Sequence, residues 1–99
     1  MIRVSVMYPN EKGKRFDVNY FATKHIGLVH KKLDGAGLVR AEVDKAADPN
    51  APFIAVVHLQ FKSMEEFQNG FFPHAAEFTA DMPNYTDLVP QVQISEIVK

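Results

Sequence analysis

Ninety-nine residues and 11.2 kDa make one domain, spanning residues 1–99, because two halves of that size would each be too small to close a core. A composition that is 46% hydrophobic supplies that core, and eleven Lys and Arg against twelve Asp and Glu leave a net charge of −1, with no basic surplus for nucleic acid or anionic membranes. The absence of cysteine excludes disulfide frameworks, thiolate metal sites and cysteine nucleophiles.

At the start of the chain Ile2, Val4, Val6 and Tyr8 alternate with Arg3, Ser5 and Met7, the period of two expected of a strand. No basic leader or apolar h-region precedes it, and no apolar run approaches the roughly twenty residues that cross a bilayer, so a cytoplasmic protein is expected. Asp17 caps a predicted helix that runs to about Leu33 and leaves through Asp34-Gly35-Ala36-Gly37. At 100° per residue, Val18, Phe21, Ala22, His25, Leu28, Val29 and Leu33 form its apolar side, and Tyr20 points outward. Leu38 to about Ala46 is a second strand with Val39, Ala41 and Val43 inward. Phe53 to Phe61, apolar on both faces, is a third strand inside the sheet. Ser63-Met64-Glu65-Glu66 opens a second helix with Met64, Phe67 and Phe71 on one side. Gly70 and Pro73 interrupt it, giving a break near Phe71-Phe72 and a restart towards Asp81. Val89 to Val98 is the fourth strand, with Pro90 at its start.

The order β-α-β-β-α-β is that of the ferredoxin-like α+β fold, with a four-stranded antiparallel sheet. Two helices cover one face of such a sheet, while the third strand and Ser5 and Met7 of the first need cover on the other. The simplest cover is the same face of a second copy, a homodimer forming a closed barrel with helices outside.

Few catalytic templates remain. The five glycines form no phosphate-binding loop, and no serine has nucleophile-elbow context. His25 and His30 diverge on their helix, and His74 with Glu77 offers only two ligands, so no metal is assigned. His25 lies among Phe21, Ala22, Leu28 and Val29, where desolvation keeps an imidazole neutral and able to accept a proton, or where it is simply a core residue bonded to backbone. His74 follows the Pro73 restart, where it is a second candidate or a surface residue. His58 is expected at a dimer seam or barrel interior. Phe67, Phe71, Phe72 and Phe78 could wall an apolar pocket or fill the core, and Tyr8, Tyr20 and Tyr85 could orient a carbonyl or phenol or simply tether their hydroxyls to backbone, the ordinary reading for the outward Tyr20. Asp81 and Asp87 have the ordinary explanation of caps.

Several stretches resemble the EthD-like family of dimeric α+β-barrel proteins across nearly the whole chain. They are Ile2-Arg3-Val4-Ser5-Val6-Met7-Tyr8-Pro9-Asn10, Tyr20-Phe21-Ala22-Thr23-Lys24-His25, Phe71-Phe72-Pro73-His74-Ala75-Ala76-Glu77, Met82-Pro83-Asn84-Tyr85-Thr86-Asp87 and the end Gln93-Ile94-Ser95-Glu96. Many relatives carry proline two residues after the first-helix histidine, where this chain has Gly27. The resemblance implies subunits paired through their sheets and a family linked to bacterial ethyl tert-butyl ether degradation beside a cytochrome P450 system. The wider superfamily it resembles includes cofactor-free lactone isomerases, polyketide cyclases, quinol-forming monooxygenases and haem-degrading enzymes, with pockets between helices and sheet. In the cyclases a histidine opening the last helical region is the acid/base, and His74 is similar in place, while His25 matches the family's first-helix histidine.

Sequence and resemblance lead to a homodimeric catabolic isomerase, cyclase or oxygenase that needs no cofactor. In it His25 or His74 moves a proton on a small apolar carbonyl compound held by Phe67, Phe71 and Tyr85. The rival is a non-catalytic carrier or accessory protein for a hydrophobic metabolite or a P450-system partner. Haem binding and degradation is a third possibility, readable as a Soret band on titration with haem.

Overall fold

The computed structural model describes all 99 residues. Strand β1 is Ile2–Pro9, and helix α1 covers residues 18–33. Strands β2, Leu38–Lys45, and β3, Phe53–Phe61, follow. Helices α2, Met64–Phe71, and α3, Ala75–Asp81, are joined by a 3-10 turn Phe72–His74, and β4 is Gln91–Glu96. The strands lie in the order β2-β3-β1-β4, every neighbouring pair antiparallel, which is the ferredoxin-like α+β arrangement with β3 and β1 in the centre. No helix is long and apolar enough to cross a membrane.

Local chemistry sets the element ends. The Asp17 carboxylate accepts the Tyr20 N–H at the start of α1, and the Ser63 hydroxyl accepts the Glu66 N–H at the start of α2. Gly37, with φ 102°, supplies the left-handed residue by which the chain turns from α1 into β2. Gly70 does not interrupt α2 as its residue type predicts. It is buried within the helix, and a Cβ there would collide with the Ala36 carbonyl oxygen, so the glycine permits close approach of α2 to the exit of α1.

The helix-facing side of the sheet presents Ile2, Val4, Ala55, Val57, Leu59 and Phe61, all buried against Phe21, Val29, Leu33, Phe67 and Phe78 from the helices. Several apolar side chains stay open to solvent, among them Val39, which the alternation of β2 places inward. Val39 is 47% exposed, because a bulge between Leu38 and Arg40 takes it out of the alternation. Met64 is exposed at the first turn of α2. Val92 and Ile94 share the helix-facing side with Val6 and Val4, yet stay 59% and 43% exposed on an edge strand the helices do not reach.

On the opposite side Ser5, His58 and Asp44 are linked. The Ser5 hydroxyl lies 2.9 Å from His58 Nδ1, and His58 Nε2 lies 3.2 Å from the Asp44 carboxylate. Ser5 is buried, whereas Asp44 is largely open to solvent.

Candidate functional site

A cavity of about 250 Å³ lies between the helices and the sheet. Val6, Val57 and Leu59 form its floor, Val29, Phe71 and Phe78 its walls, and Pro90 and the exposed Val92 stand on the β4 side. No lysine or arginine lines it, and its polar groups are the linked His25, Tyr8 and Tyr85 at one end and the exposed Thr79.

His25 reaches that end through a local departure from ideal helix. Residues Phe21–His25 form a π-helical turn, in which the Ile26 N–H reaches back five residues to the Phe21 carbonyl. The extra residue lets Phe21 and His25 before the step, and Ile26, Val29 and Leu33 after it, all face the core. It also corrects the ideal wheel. Ala22 is exposed, Ile26 is buried, and Tyr20, expected outward, is half-buried and stacks on Tyr85 with ring centroids 6.1 Å apart.

His25 Nδ1 lies 2.9 Å from Asp81 Oδ2. Asp81 Oδ1 accepts the Tyr20 hydroxyl at 2.7 Å and the Asn84 amide at 2.9 Å. Burial alone would raise the Asp81 carboxyl, but these bonds from Asn84, Tyr20 and His25 hold it below its ordinary value. An ionised Asp81 can only accept, so His25 carries its proton on Nδ1 and turns a bare Nε2 inward. Burial depresses the imidazole below its ordinary value, and the Asp81 charge only partly offsets that.

His25 Nε2 lies 3.5 Å from the Tyr85 hydroxyl, and that hydroxyl lies 2.7 Å from the Tyr8 hydroxyl. Tyr85 is fully buried, and burial pushes both phenols above their ordinary range, so they stay protonated. A strap fixes the segment that carries Tyr85. Arg15 donates to the Pro83 and Asn84 carbonyls, the Thr86 hydroxyl donates to the Arg15 carbonyl, and the Asp17 N–H bonds the Tyr85 carbonyl at 2.8 Å.

The structure brings His25, Tyr85 and Phe71 together around the cavity. Phe67 instead packs behind it, against Phe61 and Phe71. His74 is not among the lining residues; it ends the Phe72–His74 turn with its ring 6.4 Å from that of Phe78 and its Nδ1 3.3 Å from Glu77 Oε1. His30 pairs with Asp34 at 2.8 Å on the surface. No group of three or more side chains that could hold a metal is present.

The sequence offers Tyr8 as a group able to orient a carbonyl, sets Tyr20 outward, and gives Asp81 only the role of a cap. The signal at Asp81 is a carboxylate ending α3, where the helix dipole disfavours negative charge and a compensating partner is to be expected. Tyr8 was legible as inward but not as a partner of Tyr85, which is 77 residues away.

These features define a class: a small ferredoxin-like α+β protein with an apolar cavity between helices and sheet, closed at one end by a carboxylate-oriented histidine and two tyrosines. An EthD-like protein of Ralstonia eutropha JMP134 is 37% identical to this chain, with 99% of this chain and 92% of that one covered and a TM-score of 0.87. The chain belongs to the EthD-like family. An EthD family protein of Bacillus halodurans C-125 shares the fold at 14% identity and a TM-score of 0.76, covering 99% of each chain. A dimeric protein with a ferredoxin-like fold from Bacteroides fragilis NCTC 9343 does so at 10% identity and 0.65, over 97% of this chain and 95% of that one. No protein-family model and no curated protein matches the chain.

Proposed function

We propose that this EthD-like protein is a homodimeric catalyst in the breakdown of organic compounds, moving a proton on a small apolar carbonyl compound in the manner of an isomerase, cyclase or oxygenase. One observation carries the reading: a neutral imidazole, oriented by Asp81 through Nδ1, turns a bare Nε2 to the polar end of an apolar cavity. Such a group is a general base, worth about 10²–10⁴ in rate. His25 fills that role, the Tyr85 hydroxyl belongs to the hydrogen-bonding end that receives the substrate oxygen, and Phe71 packs on the apolar body of the substrate. His74, paired with Glu77 and absent from the cavity lining, has no part in this reading, and Phe67 acts only by supporting Phe71.

The test is deuterium exchange at the α-carbon of a bound ketone. His25→Gln should abolish exchange while leaving the fold and the subunit state unchanged, and undiminished exchange would exclude His25 as the base. The apolar character of the cavity also favours a second reading, a carrier that binds without turnover. In that case no exchange occurs and His25→Gln leaves ligand affinity intact.

Dimerisation is supported by the outer sheet face, where Ser5 is buried and Met7, Ile54 and Val56 are only half covered by the subunit itself. Sedimentation should give twice the 11.2 kDa of one chain.

A further inference from the structure

The hydrogen-bonding protons at the polar end of the cavity can be arranged in two ways. Asp81 is occupied by Tyr20, Asn84 and His25 Nδ1, so Tyr8 Oη, Tyr85 Oη and His25 Nε2 have only the two phenolic protons between them. The 2.7 Å bond between the phenols uses one of them. If Tyr8 donates to Tyr85, Tyr85 can donate on to Nε2; if Tyr85 donates to Tyr8, the Tyr8 proton is left for a ligand and Nε2 is left without a donor. The 3.5 Å separation of Tyr85 from Nε2 is at the limit of a hydrogen bond and leaves that lone pair poorly served. A ligand that brings one oxygen acceptor and one acidic hydrogen completes the set: Tyr85 donates to Tyr8, Tyr8 to the ligand oxygen, and the ligand hydrogen faces Nε2.

Charge narrows the class further. With no lysine or arginine in the lining and the Asp81 carboxylate directly behind His25, a carboxylate or phosphate group would be buried beside like charge without a counterion. Size narrows it again. Benzene fills an engineered cavity of about 150 Å³, so about 250 Å³ holds one ring with a short side chain.

We infer that the cavity takes neutral, enolisable ketones of single-ring size, the Tyr8 hydroxyl holding the carbonyl oxygen and His25 Nε2 facing the α-hydrogen. This rests on the proton-transfer reading and adds Tyr8 as the group that meets substrate. In the step, the α C–H bond breaks and its proton passes to Nε2. The bonding pair becomes the C=C of the enolate, and the Tyr8 O–H hydrogen-bonds the oxygen that gains the charge. Return of a solvent deuteron to the same carbon restores the ketone.

Three probes of closely similar size test the inference on the whole protein: phenylacetone, the isosteric carboxylate phenylacetate at pH 8, and propylbenzene. Phenylacetone should bind saturably, about tenfold or more tighter than either of the others, and the isosteric Tyr8→Phe should weaken it about tenfold while leaving propylbenzene unchanged. Equal or tighter binding of the carboxylate, or no saturable ketone binding, overturns the inference, and neither depends on the variant folding. Equal loss of ketone and hydrocarbon in Tyr8→Phe overturns the role of Tyr8. Tyr8-dependent ketone binding without His25-dependent exchange upholds the ligand class and overturns the proton-transfer reading beneath it.

Discussion

Tyr85, His25 and Asp81 on one side of the sheet, and Ser5, His58 and Asp44 on the other, are the same three chemical groups in the same order. Their surroundings differ. Asp81 accepts two further hydrogen bonds, from Tyr20 and Asn84, and its histidine opens on an apolar cavity that accommodates a ring-sized ligand. Within one subunit Asp44, with a side chain 64% exposed, pairs with His58 alone, and Ser5 sits in the middle of a β-ladder on the face that a second copy would cover. A hydroxyl, an imidazole and a carboxylate in line are therefore not sufficient for chemistry. The carboxylate must be anchored, the imidazole desolvated, and a space left open at the far end.

The largest effect should separate the two carboxylates. Asp81→Asn removes the acceptor that fixes the His25 tautomer and should lower α-deuterium exchange of phenylacetone about 10²-fold or more, while Asp44→Asn should leave it within about twofold. Comparable losses in the two variants would erase the distinction between the faces. Stability should divide the two hydroxyls: Tyr85→Ala, opening a void in the core, should cost about 3–5 kcal/mol in urea unfolding, and Ser5→Ala about 1 kcal/mol or less.

Acid should expose the buried histidine. Because the folded protein holds His25 below 6.5, the unfolded chain binds more protons just below that value, so stability is fully present above pH 6.5 and falls as pH drops towards the folded value. Unfolding free energy measured between pH 7.5 and 5.5 should slope by at most about 1.4 kcal/mol per pH unit from this group, and His25→Gln should remove that contribution. The smallest effect belongs to Tyr20, a positioning residue. Tyr20→Phe takes one donor from Asp81 and should slow exchange only severalfold. It should also move the acid limb of the rate profile upward, since an Asp81 with fewer donors holds the His25 proton more firmly, a shift that simple loss of packing would not produce.

Much of this architecture is written in the sequence in plain periods. Alternation in β1 and β3, the Asp17 and Ser63 caps and the Pro73 restart place every element, and the mid-stripe position of His25 marks it as a buried imidazole. What escapes are departures from period. One bulge turns Val39 outward, and one π turn exposes Ala22 while drawing Tyr20 and Ile26 in. Asp81 escapes for another reason: an aspartate beside a turn has a sufficient local explanation, and only the arrival of Tyr20 and His25 from α1 reveals its use. Gly70 likewise reads as a breaker until Ala36 is seen packed against it.

The bond between Tyr8 and Tyr85 joins residues 77 apart, so it closes a loop that contains most of the chain. Loop-closure entropy makes such a contact one of the last that folding can reward. No fragment that stops short of Tyr85 can hold these hydrogen bonds, and a chain still emerging from synthesis has an exit from α1 and a central strand before it has the site. A local opening that frees the segment after α3 would extinguish the site while leaving β1 and β3 paired. The site is thus a property of the completed chain, gained and lost at once.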